Sequence, residues 1–255
     1  MNIDIGMIAA DTLRSSAYLQ AMIHYEILPS FVILMMNDGN RLPGQNDKND
    51  FEAVQNNNDD EWQDFSFDAS RTVQALLEEY DIPYSIAPNA NINDSAVIHL
   101  ISERPEAVFI YSGFGGVILR EPVLSIGKEY LHIHGGYLPK YKGSTTNYYS
   151  ILEEDSMGAS AMFMRPEIDD GPVLVRQKFG LPPDSTKIDY IYDSIVRAKV
   201  LIQTLQNYIK QKEWVFSEIE KEPSHVYYVI HPVLKHIAIL GSMEPSMSAD
   251  VVASS

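Results

Sequence analysis

Three short stretches of this sequence carry side chains whose types and spacing could do chemistry. The first is His132-Ile-His134-Gly-Gly-Tyr137-Leu-Pro139-Lys-Tyr-Lys-Gly143. An extended chain alternates its side chains, so His132 and His134 share one face and Ile133 takes the other. Two imidazoles at a strand end suit proton transfer or metal ligation, and two satisfied structural histidines are the plain alternative. The second stretch is Ile168-Asp169-Asp170-Gly171-Pro172, whose composition is ordinary turn chemistry. Placed beside an imidazole, a carboxylate there would orient the ring, raise its basicity and stabilise its cation. A His–Asp pair without a nucleophilic Ser or Cys is equipped for moving protons rather than for a covalent intermediate. The third is Ser112-Gly-Phe-Gly-Gly116, where glycines let a ligand approach the backbone. It lacks both the G-x-G-x-x-G spacing and a Lys-Ser/Thr pair, so it is neither a dinucleotide fingerprint nor a P-loop. A metal needs a third and usually a fourth ligand, and no other histidine stands in H-x-x-H or H-E-x-x-H spacing. No metal is therefore expected.

The elements that must position these residues alternate. Ile3 to Ala10 reads as a short strand, Ser15 to Tyr25 as an amphipathic helix, and Phe31–Met36 as a strand buried on both faces. A polar stretch of about 37–66 follows, with Asn56-Asn-Asn-Asp-Asp60 inside it, and reads as an irregular acidic insertion. Asp68 is expected to cap a helix over Ser70 to about Tyr80, and Asp94 a helix ending before Pro105. Further strands are expected at Ala107–Tyr111, Tyr130–His134, Ala159–Met164 and Val173–Phe179, with a helix over Asn147–Glu153. Ser185 to Lys212 has a long helical pattern with Ile188, Ile191, Ile195 and Val196 on one side, and Gly241–Ser255 reads as a tail. This alternation predicts an α/β, Rossmann-like, mainly parallel sheet over residues 1–180, then a helical and aromatic extension over 181–240. Ligands in such sheets collect at the carboxyl ends of strands, here the loops after Tyr111 and His134.

Composition narrows the chemistry. The 255 residues carry 19 Lys+Arg against 35 Asp+Glu, a net charge of −16. Such a surface repels phosphodiester backbones, so a nucleic-acid partner is disfavoured. Zero Cys removes thiolate nucleophiles, disulfides and cysteine-bound metals. The first residues show no basic region followed by an apolar run, and no stretch approaches a membrane span, so the reading expects a soluble cytoplasmic protein.

Taken in order, these segments resemble the 10-formyltetrahydrofolate-dependent formyltransferase family. The family motif is Asn-x-His, a short turn and Leu-Pro-x-Tyr-x-Gly, with a catalytic Asp in a later Asp-x-Gly turn. Here it stands as His132-Ile-His134, Leu138-Pro139-Lys-Tyr141-Lys-Gly143 and Asp169-Asp-Gly171. The resemblance implies catalytic roles for His134 and Asp169. It places His132 where the family has an Asn that donates to the oxyanion of the tetrahedral intermediate, a role one imidazole N–H can fill. It implies 10-formyltetrahydrofolate as co-substrate, held by Phe114, Gly115, Gly116, Val117, Ile118 and Leu119 on one side and by Glu167 and Ile168 on the other. Within the family, the Tyr227–Lys235 stretch and the His-Gly-Gly-Tyr turn are most similar to sugar N-formyltransferases of pseudaminic-acid-type pathways. That similarity implies the 4-amino group of a UDP-linked 2-acetamido-dideoxy-hexose as acceptor, with Tyr137, Thr145, Asn147, Tyr148, Tyr227 and Tyr228 toward it, in a monomer or homodimer. The alternatives are a 10-formyltetrahydrofolate hydrolase, a non-catalytic module that binds folate or nucleotide sugar and, as the outlier, a metal hydrolase built on His132, His134 and Asp169.

Overall fold

The computed structural model describes residues 2–36, 65–218 and 224–241. Most of the acidic insertion expected at 37–66, and the tail beyond Gly241, lie outside the described residues. The expected strands form one seven-stranded sheet in the order β3-β2-β1-β4-β5-β7-β8. Its first five strands are β1 (Asn2–Ala10), β2 (Leu28–Met35), β3 (Tyr84–Ile86), β4 (Val108–Ser112) and β5 (Glu129–His134), all parallel to one another. Two antiparallel strands, β7 (Met157–Phe163) and β8 (Val173–Phe179), complete the other edge. Runs such as Val32–Met35 and Phe109–Tyr111 are buried, as strands covered on both faces must be.

Two cores fill those faces. On one, α1 (Leu13–His24) and α6 (Asp193–Gln211) lay Tyr18, Leu19, Met22, Ile195, Val196 and Leu201 over the sheet. On the other, α3 (Ser95–Ser102) and α4 (Glu121–Leu124) cover Ile8, Ile33, Phe109 and Tyr111. The helix expected from Ser70 begins later, as α2 (Val73–Glu79), with Thr72 as its cap, accepting from the Ala75 N–H. Asp68 instead closes its own turn, accepting from the backbone and hydroxyl of Ser70. Both residues are good caps, and the burial of Val73, Leu76 and Leu77 selects the later start. Asp94 caps α3 as expected. The long helical pattern of 185–212 opens as a short 3-10 turn and a π-helical turn, Ile188–Tyr192, before α6 begins at Asp193.

A second, two-stranded sheet escaped the sequence reading. Its strands are β6 (Tyr141–Gly143) and β9 (His225–Tyr227), paired in parallel. It ties the C-terminal segment and its last helix, α7 (Pro232–Gly241), to the loop after β5 and to α5 (Thr146–Glu154). At three residues apiece, these strands are too short to show a hydrophobic period. Gly143 makes the pairing possible: at φ +98°, with the Tyr227 carbonyl against its Cα, no Cβ fits there. No helix of the described residues is long and apolar enough to cross a membrane.

Candidate active site

β1 is the point where the strand order reverses, running to β2 and β3 on one side and to β4 and β5 on the other. Beside it, at the carboxyl ends of β1, β4 and β5, an open α/β sheet offers its crevice. β5 delivers His134 there, buried at 4% exposure, with His132 half-buried two residues before it. Asp169 arrives from the turn between β7 and β8, in a left-handed conformation at φ +49°. One ligand atom from each of His132, His134 and Asp169 lies within 4.8 Å of the others. The fold thus brings together the three residues expected to be catalytic.

Backbone groups aim each of them. His134 Nε2 is 2.7 Å from the Tyr141 carbonyl oxygen, which can only accept, so Nε2 carries the hydrogen. The other nitrogen, Nδ1, then presents its lone pair toward Asp169 Oδ2 at 3.4 Å. That carboxylate oxygen also accepts from the Gly143 N–H at 2.8 Å. His132 Nδ1 sits 3.3 Å from the Tyr111 carbonyl, across the β4–β5 ladder. Burial pushes the pKa of His134 below that of a free imidazole; Asp169 opposes the shift and Arg197 adds to it. His132 is pushed well below, by burial first and then by Arg14, Arg197 and its neighbour His134. Both rings are therefore neutral at pH 7, and His134 can accept a proton at Nδ1 and share the resulting charge with Asp169.

Behind β5 lies a charged network the sequence reading missed. Arg197 donates from Nε to Asp193 Oδ2 at 2.8 Å and from a guanidinium NH2 group to the Ile133 carbonyl at 2.8 Å. Burial works against both charges, yet each partner holds the other ionised: Asp193 stays below the usual carboxylate range and Arg197 above its own. Gly135 leaves room for this pair, since a Cβ there would enter the Arg197 guanidinium. Arg14, in the first turn of α1, bonds the Gly113 carbonyl and the Ser112 hydroxyl at the end of β4. The i, i+4 spacing of Asp193 and Arg197 on a helix was the available sequence signal for the pair.

The remaining expected residues divide. Phe114 and Val117 are half-buried against the α3 face and Leu119 is buried in it, whereas Gly115, Gly116 and Ile118 are exposed. Asn93 fastens this loop, donating to the Ile118 carbonyl and accepting from the Arg120 N–H. Glu167 and Ile168 are exposed in the turn before Asp169. Asn147 is buried with both ends of its amide used, donating to Asp193 and accepting from the Gly158 N–H. The Tyr148 hydroxyl donates to Asp189, and Tyr227 stacks near Tyr141 and Tyr149 while its hydroxyl donates to Glu153. Thr145 accepts from the Ile230 N–H, and the Tyr137 ring lies under the Arg176 guanidinium. Tyr228 has its ring in solvent, at 81% exposure.

Comparison with known proteins defines the class. A sequence model of the formyl transferase family matches residues 44–202, and this chain belongs to that family. The methionyl-tRNA formyltransferase of Chloroflexus aurantiacus is 32% identical over 136 residues, 52% of this chain and 41% of that protein. The chain thus spans about two fifths of the length of the curated relatives it matches. Among solved structures, a sugar N-formyltransferase from a Shewanella species shares the fold with a TM-score of 0.55 at 13% identity, over 97% of this chain and 89% of that one. The N-formyltransferase of Helicobacter canadensis, solved with folinic acid and dTDP-3-aminofucose, gives a TM-score of 0.55 at 15% identity, over 88% and 70% of the two chains.

Proposed function

We propose that this protein transfers a formyl group from 10-formyltetrahydrofolate to the amine of a nucleotide-linked amino sugar. The observation that carries this reading is the His134–Asp169 pair, with a neutral imidazole whose free nitrogen faces a carboxylate. An acceptor amine must be neutral to attack the formyl carbon, and it must then lose a proton. His134 Nδ1 takes that proton and Asp169 stabilises the cation; the proton then returns to the folate nitrogen that leaves. Protonated His134 holds the negative oxygen of the tetrahedral intermediate, joined by His132 in the tautomer that gives up its Tyr111 contact and carries its one N–H on Nε2. The folate ring is assigned to the loop Phe114–Leu119, with Glu167 and Ile168 across from it.

The acceptor assignment rests on charge and on chemistry at the rim. A net charge of −16 opposes a tRNA acceptor, although the sequence relatives are named for one. A small nucleotide sugar needs only local contacts, and the exposed Tyr228 ring is available to stack on a base or sugar. Tyr137, Thr145, Asn147, Tyr148 and Tyr227 then act through the shape they give the rim, because their polar atoms or rings already have partners within the chain.

The test is single-turnover formyl transfer with His134→Ala and Asp169→Asn. Each is expected to slow transfer by about 10²–10⁴, the usual worth of a positioned acid–base group, while folate still binds. Unchanged rates in both variants would dismiss the pair as the proton-handling machinery.

A further inference from the structure

The family places Asn where this chain has His132, and that single difference changes what the site can hold. Asn and one imidazole are poor company for a metal ion. Two imidazoles and a carboxylate are a common three-residue set for a divalent transition cation, with water or another small ligand in the fourth position. The spacing of histidines along the chain offers no third ligand, and the fold brings up the carboxylate of the outlying metal reading, Asp169, 35 residues beyond His134 in sequence and 3.4 Å from it in space.

The arrangement matches a metal site in two respects, ligand spacing and the partner of each ring's second nitrogen. Ligand atoms around a tetrahedral zinc, at bond lengths of about 2.0–2.1 Å, stand about 3.3 Å apart. His134 Nδ1 and Asp169 Oδ2 are already 3.4 Å apart, and the set of three closes within 4.8 Å. Metal-bound histidines almost always give their second nitrogen to a carbonyl or carboxylate. Here both rings do so: His134 through Nε2 to the Tyr141 carbonyl, and His132 through Nδ1 to the Tyr111 carbonyl. Asp169 is held as well, by the Gly143 N–H. One nitrogen on each ring is left for a ligand.

We propose that His132, His134 and Asp169 form a binding site for one divalent cation of the zinc class. The charges nearby shape the fourth position. Arg197 is ion-paired with Asp193, and Arg14, which bonds the Gly113 carbonyl and the Ser112 hydroxyl and feels the charge of Asp193 besides, adds positive charge that favours an anionic fourth ligand such as hydroxide. Occupation of the site uses the same His134 Nδ1 lone pair that accepts the amine proton, so a bound cation and formyl transfer exclude each other. That exclusion rests on the proposed function; the binding itself does not.

The test uses the full chain, stripped with EDTA, dialysed and titrated with zinc chloride by calorimetry, with cobalt(II) in parallel as a visible probe of ligand geometry. The expected result is saturable uptake of one zinc per chain and a tetrahedral cobalt spectrum. His132→Asn and Asp169→Asn should each weaken uptake at least tenfold while melting in EDTA like the parent protein. If either variant fails to fold, the other still decides the point. Absence of saturable one-to-one uptake, or uptake of equal affinity in a folded variant, overturns the proposal. Zinc should also stop formyl turnover and EDTA restore it; zinc binding by a chain that never turns over would sink the transferase reading and leave the metal site standing.

Discussion

Two neighbouring loops leave the same end of the sheet and are built in opposite ways. After β4 the chain runs through Gly113 to Leu119 with Gly115, Gly116 and Ile118 exposed, fastened chiefly by Asn93. Gly116 is left-handed at φ +77° and has nothing within 4 Å of where a Cβ would stand. After β5, almost every polar group is spoken for. Ser160 donates to the Gly136 carbonyl and accepts from the Leu138 N–H, Thr146 donates to the Gly135 carbonyl, and Asp169 accepts from the Gly143 N–H. The peptide between Leu138 and Pro139 is cis. The first loop keeps backbone available for a partner from outside, whereas the second uses its backbone to fix side chains. Under the proposed function that contrast is useful, since catalytic groups gain from preorganisation and a co-substrate cradle from unpaired edges.

The largest expected effect comes from removing a group that the rigid loop aims. His132→Ala should lower turnover by about 10²–10³, the cost of losing one oxyanion donor. Steady-state rates with saturating folate measure it, and an unchanged kcat would remove His132 from that role. Next come the two left-handed glycines, which set the loops directly against each other. Gly116→Ala should cost only about 1–2 kcal/mol, the price of a left-handed alanine in open space. Gly143→Ala should cost more, because the new methyl group also strikes the Tyr227 carbonyl and parts β6 from β9. Thermal melting of the two variants compares them, and equal losses would mean that the loops do not differ in rigidity.

A smaller effect appears in pH dependence. Burial depresses the pKa of His134 while Asp169 raises it, so the acid limb of kcat/KM should lie below pH 6.5. Asp169→Asn removes the raising partner, and in that variant the limb should move to lower pH. The same burial affects stability. An unfolded His binds a proton below about pH 6.5 that the depressed folded His132 and His134 refuse, so folding should weaken as pH falls through that range. A pH series of melting temperatures with and without His132→Asn tests the sign, with the variant expected to be less acid-sensitive.

The parallel half of the sheet was legible because its strands are continuous apolar runs, and Phe31–Met36 or Ala107–Tyr111 can hardly be anything else. The meeting of His132, His134 and Asp169 at one end of the sheet was legible because a strand end and a turn deliver side chains there. The intrachain partners of Asn147 and Tyr148 were not. Both look like acceptor contacts in sequence, and only the arrival of Asp193 and Asp189, more than 40 residues later, shows their polar ends occupied. Arg14 and Arg197 were hidden for the related reason that an arginine in an amphipathic helix reads as solvated surface until the fold lays it across two strand ends. The β6–β9 sheet is decided by long-range pairing of three-residue strands, which no local pattern announces.

The most direct test of the central claim is turnover of 10-formyltetrahydrofolate, followed by absorbance, with and without a panel of UDP- and dTDP-linked amino sugars. Turnover should require an acceptor from that panel and vanish in His134→Ala. Turnover at the same rate without any acceptor would make the protein a hydrolase, and no turnover with folate still bound would make it a binding protein; either result contradicts the transferase assignment.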